Sequence, residues 1–293
     1  RPDDAEALLT SAIALQPENA EAWYQRGVCR VNRDRYENAV QDFSQVLELK
    51  TSSDAARISR AICRQHLGDF QAALSDLNDA IEHGFPETRV YFLRAAVHVD
   101  LQDIAAADKD KAEGLSRTPT DERSWVARGL AQLPQKPDLA MADFQEALRL
   151  NPASHDAFRN MSMVLSEYLR DADQSIRVLT DAMTHHPQDA YLWAGRGVLH
   201  ARGGRRDAAL QDAADARKRS KEPLVVYMVS CIYALTAKGH PEDAAVALPL
   251  LAESLLGDMS LATVAASDPD LQAIQTQPEF DAILQATKIL THP

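Results

Sequence analysis

Apolar residues along this chain recur at three- and four-residue spacing, as in Val40, Phe43, Val46 and Leu47, with polar and charged residues between them. That spacing is the stripe of a 3.6-residue helix that buries one face. Segments of this kind, about fourteen residues long, follow one another with short polar turns between them. The pattern predicts helices throughout, paired as antiparallel hairpins.

The pairs repeat. Arg26-Gly27 recurs as Arg60-Ala61, Arg94-Ala95, Arg128-Gly129 and Arg196-Gly197. The first four are 34 residues apart and the last gap is twice that, with Met161-Ser162 at its midpoint, one residue early. Small residues keep the same beat at Ala39, Ala73, Ala107, Ala140, Ser175 and Ala209. A second set does so at Val46, Ala80, Gly114, Ala147, Ala182 and Ala216, and units close near Pro17, Pro86, Pro119, Pro152 and Pro187. Small residues at fixed offsets let two helices cross closely, and a hairpin that cannot bury its apolar face alone must stack on its neighbours.

The stretches "AWYQRG", "YENAVQDFSQVL" and "LNP", with Trp23, Gly27, Ala39 and Phe43 and again Trp125, Gly129, Ala140, Phe144, Ala147 and Pro152 in order, resemble the tetratricopeptide repeat. The resemblance covers nearly the whole chain. It implies an all-α, right-handed superhelix of about six to seven hairpins with a helical C-terminal cap. Residues 1–19 would be the second helix of a repeat whose first helix lies upstream. Six repeats would span 20–53, 54–87, 88–121, 122–154, 155–189 and 190–223, and a divergent hairpin and cap would span 224–293. Asp268-Pro269-Asp270-Leu271 followed by Pro278-Glu279-Phe280 resembles the closing segment of such arrays in large bacterial proteins, some of them Ser/Thr kinases.

Each repeat Arg is followed sixteen residues later by an Asp: Arg26 with Asp42, Arg60 with Asp76, Arg94 with Asp110 and Arg196 with Asp212. The interval is fifteen for Arg128 with Asp143, where the turn is one residue shorter. Where the Arg is lost, at Met161, the Asp site is Val178. Loss of both charges together is what a contacting pair produces, so these are expected to be structural bridges rather than an anion ladder.

In this family the first helices line a concave groove that holds peptides or helices. Two residues before each Arg–small pair stand Tyr24, Ile58, Phe92, Val126, Arg159 and Tyr227, which are the expected peptide-groove residues. The Lys and Asn of a carboxylate clamp are missing from them.

Apolar residues make up 45% and charged residues 25%, the profile of a folded soluble chain. No apolar run is long enough to span a bilayer, and no signal peptide is visible. The compartment stays open, with the cytoplasm favoured over export. A net charge of −12 disfavours nucleic acid as a partner. Charge is uneven: Arg196 to Glu222 holds eight basic and four acidic residues, and Gly239 to Thr287 holds eight acidic residues and no Lys or Arg. The three cysteines are odd in number and sit in apolar stretches, so free buried thiols are expected. Histidines are scattered, no metal or cofactor signature appears, and no catalytic constellation is present. The sequence thus reads as a non-catalytic scaffold, binding a protein or peptide partner as part of a larger bacterial protein, with the regulatory or oligomerisation region of a multidomain enzyme such as a Ser/Thr kinase as the alternative.

Overall fold

The computed structural model describes residues 2–291, and every regular element among them is helical. The chain divides into two compact units, residues 1–132 and 133–293. That division falls between the two helices of the expected 122–154 repeat.

The first unit holds α1 (Pro2–Leu15), α2 (Ala20–Val31), α3 (Tyr36–Leu49), α4 (Asp54–His66), α5 (Phe70–Glu82), α6 (Arg89–Asp100), α7 (Ile104–Ser116) and α8 (Glu122–Gln132). The second holds α9 (Pro137–Leu150), α10 (His155–Met163), α11 (Ala172–His185), α12 (Ala190–Arg202), α13 (Arg206–Arg219), α14 (Pro223–Thr236), α15 (Ala244–Gly257), the short α16 (Leu261–Ala265) and α17 (Pro278–Thr291). A π-helical turn at Val164–Tyr168 extends α10, and a short 3₁₀ turn at Pro269–Leu271 lies between α16 and α17. Within each unit, helices next to each other in the chain pack against each other, as a solenoid of hairpins requires.

Five of the hairpin turns are made the same way. A left-handed residue closes the hairpin at Asp34, Gly68, Gln102, Arg170 and Gly204, positions related by the 34-residue period. The amide after it bonds back to a carbonyl in the last turn of the first helix, as in Arg35 N to Arg30 O (2.9 Å) and Arg205 N to His200 O (2.8 Å). This is how a helix end satisfies its orphan carbonyls. Many helices then open on a side-chain cap: Asn19 on α2, Asp103 on α7, Ser154 on α10, Asp171 on α11 and Asp189 on α12.

The small residues of the period are buried at the helix crossings. Ala39, Ala73, Ala140, Ser175 and Ala209 have no exposed surface and Ala107 very little. At Gly197 the fit is closest: a Cβ there would stand 2.6 Å from Ile232 Cδ1 and 3.1 Å from Asp212 Cβ. Gly197→Val is therefore expected to cost about 2–3 kcal/mol by overpacking. Thermal unfolding of Gly197→Val and of Gly197→Val with Ile232→Ala checks this. With Ile232→Ala measured alone as well, the double variant should lose less than the two single losses added together, and additive losses would show that Ile232 is not what Gly197 makes room for.

Candidate functional site

The repeat arginines are bridging residues. Arg26 donates from Nε and Nη2 to Asp42 at 3.1 and 2.7 Å, Arg60 to Asp76 at 2.9 and 2.6 Å, Arg94 to Asp110 at 2.7 and 2.6 Å, and Arg196 to Asp212 at 2.9 and 2.7 Å. Each is a two-pronged guanidinium–carboxylate pair, the geometry that suits Arg and not Lys. Arg128 and Asp143 lie in different units, so their pairing stays an expectation. Within its own unit, Arg128 lies 4.4 Å over the Trp125 ring.

The remaining nitrogen of each arginine reaches the helix before. Nη1 donates to Thr10 Oγ1 from Arg26 (3.2 Å), to Ser44 Oγ from Arg60 (3.0 Å), to Asn78 Oδ1 from Arg94 (2.8 Å) and to Thr180 Oγ1 from Arg196 (3.0 Å). All four acceptors lie sixteen residues earlier. Each arginine therefore ties three helices of two successive hairpins. The aspartates also face a second basic side chain one turn further along the first helix: Arg30 at 2.8 Å, Arg64 at 2.7 Å, His98 at 3.7 Å and His200 at 3.9 Å. Burial pushes the His200 imidazole below its usual range, against the pull of Asp212 toward the charged form.

The unit that lacks the arginine is built differently. Met161 is buried at the Arg position. The hairpin is joined instead by Ser162 Oγ and Ser175 Oγ at 2.8 Å, with Ser175 donating to the Ser162 carbonyl at 3.0 Å.

This same unit opens a cleft of about 650 Å³, whose lining includes Arg159, Asn160, Met163, Leu192, Leu224 and Met228. Its walls come from the first helices of three hairpins, α10, α12 and α14, and its floor reaches Leu179 and Gly195. A Cβ on Gly195 would meet only Leu179 Cδ1 at 3.7 Å and Met228 Cε at 3.9 Å, so that glycine leaves the floor open rather than relieving a clash. Arg159 is exposed and has no ion pair or hydrogen bond among the described residues. Tyr191 closes one side. Its hydroxyl donates to Glu222 at 2.8 Å, and burial and that bond push its phenol up to about 12. His155, at the rim, is paired with Asp189 and stands edge-on to His186 at 5.4 Å.

Of the expected groove residues, only Arg159 lies on this cleft. Tyr24 is half-buried, its ring 5.5 Å from that of Phe43. Phe92 is half-buried and fills the space left by Gly114, where a Cβ would stand 2.7 Å from the Phe92 ring. Three expectations are corrected by burial. Ile58 has no exposed surface and packs in the core with Ala61, Ala73 and Leu77. Val126 is 8% exposed. Tyr227 is 5% exposed and covered by the segment that follows α16. The register two residues before the Arg faces the neighbouring helix more often than solvent. Met163, on the turn after Arg159, does line the cleft.

The segment over Tyr227 is the Asp268–Leu271 motif. Tyr227 donates to Asp268 Oδ2 at 2.7 Å, and Arg202 makes a two-pronged pair with Asp270 at 2.9 and 2.8 Å. Leu271 and Ile274 are fully buried behind them. Burial first, then the hydrogen bond to Asp268, holds the Tyr227 phenol far above its usual range. Buried under the same aspartate, the Cys231 thiol is likewise pushed up. A helical cap was legible in the sequence; a strap laid across expected groove positions was not.

Among the described residues no group of three or more His, Cys, Asp or Glu could hold a metal ion, and no helix is long and apolar enough to cross a membrane.

The family described as tetratricopeptide repeat matches residues 1–55 and 167–223. No curated protein matches the sequence. Among solved structures, a tetratricopeptide repeat protein from Parabacteroides merdae ATCC 43184 is 17% identical, with 92% of this chain and 98% of that one covered and a TM-score of 0.53. The APC/C hetero-tetramer Cut9–Hcn1 gives 16% identity and a TM-score of 0.54 over 79% of this chain, which spans just under half (46%) of that one. An IFIT1 monomeric mutant with m7Gppp-AAAA gives 12% identity and a TM-score of 0.55, covering 92% of this chain and 71% of its own. At these identities the likeness is one of fold.

Proposed function

We propose that this chain, which carries tetratricopeptide repeats, is a non-catalytic scaffold that binds a protein or peptide partner, and that the cleft on α10, α12 and α14 is where the partner sits. The observation that supports this is the cleft itself: a concave site of about 650 Å³ on three successive first helices, with an apolar floor and a few polar groups on its rim. Its size suits a few side chains of an extended segment. Arg196 ties α11, α12 and α13 beside the cleft, which favours a largely pre-formed site and keeps down the ordering cost of binding. A bacterial source is suggested by the excess of Arg over Lys, a bias of coding rather than of site chemistry.

Gly195→Leu tests the reading. The substitution fills the floor of the cleft and replaces a helical glycine, so the fold should not suffer. Peptides selected from a displayed random library on the unmodified protein should bind the variant at least about tenfold more weakly, with the melting temperature unchanged or raised. Unchanged binding of every selected peptide to Gly195→Leu would remove the cleft as the binding site.

A further inference from the structure

The chain already holds one short segment of its own, the 3₁₀ turn at Pro269–Leu271 with Asp268 before it, against this face of its helices. The strap residues Asp268 and Asp270 are bound by Tyr227 of α14 and Arg202 of α12, with Leu271 inserted beneath them. On α14, Leu224 and Met228 line the open cleft while Tyr227 and Cys231 touch Asp268. These four positions follow the i, i+3, i+4, i+7 spacing of one helix stripe. On α12, Tyr191 and Gly195 line the cleft and Arg202 holds the strap, again at positions that share one stripe. Cleft and strap are thus adjacent stretches of one surface. On α12 the strap meets the C-terminal end at Arg202 and the cleft the N-terminal half at Tyr191 and Gly195; on α14 the strap contacts, Tyr227 and Cys231, alternate with the cleft residues, Leu224 and Met228. Arg202 joins the two, since its Nη1 donates to Glu167 on the cleft wall at 3.1 Å.

The charges complete the parallel. In the strapped stretch a guanidinium and a phenol receive carboxylates, and a leucine fills the apolar space behind. In the open stretch, the guanidinium of Arg159 has no carboxylate among the described residues, and Met163, Leu192, Leu224 and Met228 supply the apolar space. Of the other ionisable groups on the cleft, Glu167 is already engaged by Arg202 and His155 by Asp189.

We propose that the cleft takes a short segment of a partner protein with the side-chain chemistry of this chain's own Asp268–Leu271: a carboxylate side chain on Arg159 and, one or a few residues on, an aliphatic side chain in the methionine–leucine floor. The proposal rests on the cleft being the binding site and adds the class of ligand. An acidic partner segment also carries the charge that an exposed arginine beside an apolar floor attracts.

Two fluorescein-labelled nonapeptides test it by fluorescence anisotropy on the full chain. One is Ser-Asp-Pro-Asp-Leu-Gln-Ala-Ile-Gln, the sequence of residues 267–275. The other has both aspartates replaced by asparagine. The acidic peptide should bind about tenfold or more tightly than the amide peptide. Arg159→Glu, a change at an exposed side chain, should abolish that preference, and Gly195→Leu should weaken binding of the acidic peptide. Equal binding of the two peptides, or no binding of either, overturns the proposal. So does binding that rises in Arg202→Gln and ignores Arg159→Glu, since the peptide would then be replacing the strap. In each of these cases the cleft as a binding site is judged separately, by the library peptides on Gly195→Leu.

Discussion

Arg94→Met is expected to lower the stability of the first unit by about 3 kcal/mol, and adding Asp110→Val should restore most of it. Arg94 makes its paired bonds to Asp110 at 2.7 and 2.6 Å, and its third nitrogen holds Asn78 at 2.8 Å. Asp110 is 5% exposed, and the other basic side chain facing it among the described residues is His98 at 3.7 Å. Removing the arginine leaves a buried carboxylate short of donors, which costs several kcal/mol. The partial exposure of the Arg94 side chain puts the expected loss at the low end of that range. Removing both charges leaves no such debt, and Asn78 is exposed enough to turn to water. The chain has made this exchange itself at Met161 and Val178. Denaturant unfolding of the two single variants and the double variant gives the coupling energy. A double variant as unstable as the two losses added together would show that the pair is not a unit.

Leu271→Ala is expected to cost the second unit about 3 kcal/mol or more. Leu271 has no exposed surface and belongs to the same core as Ile232, Leu251, Leu255, Ile274 and Phe280. Its backbone is fixed by the paired bond of Asp270 to Arg202 and by the Asp268 side chain, which accepts from the Asp270 amide at 2.9 Å. With the flanking polar bonds holding the strap in place, the cavity has little chance to collapse, and cavities that do not collapse cost most. The loss should appear in denaturant unfolding and as faster amide exchange in α14 and α15. A loss below about 1 kcal/mol would mean that the strap is loosely seated and not part of the core.

The hairpins were legible in the sequence because close helix crossings admit only small residues, and a small residue is conspicuous when it recurs. The Arg–Asp spacing was legible for a related reason, since both members vanish together at Met161. The third partner of each arginine was not. Thr10, Ser44, Asn78 and Thr180 share an acceptor oxygen at one offset but no residue type, so nothing in their identity repeats. The groove was only partly legible. Arg159 shows itself as the one charged residue in an apolar series, but the burial of Ile58 and Tyr227 depends on which neighbour covers them. For Tyr227 that neighbour is the strap, some forty residues on in the chain. The cleft also owes its floor to Gly195, whose Cβ would meet nothing close, a glycine that no turn or tight crossing called for.

The π-helical turn at Val164–Tyr168 explains a small irregularity in the period. Ala140, Asp143, Ala147 and Met161 all stand one residue early, and Arg170, at the next hairpin turn, is back in step. The π turn lies between Met161 and Arg170 and absorbs the extra residue, as a widened turn does. Three departures from regularity thus fall in one hairpin: the missing arginine, the π turn and the exposed Arg159. An unbroken array would offer a ligand equivalent berths one repeat apart, and an extended segment could slip from one to the next at no cost. On the proposed binding mode, this irregular hairpin removes that degeneracy and gives a ligand one address.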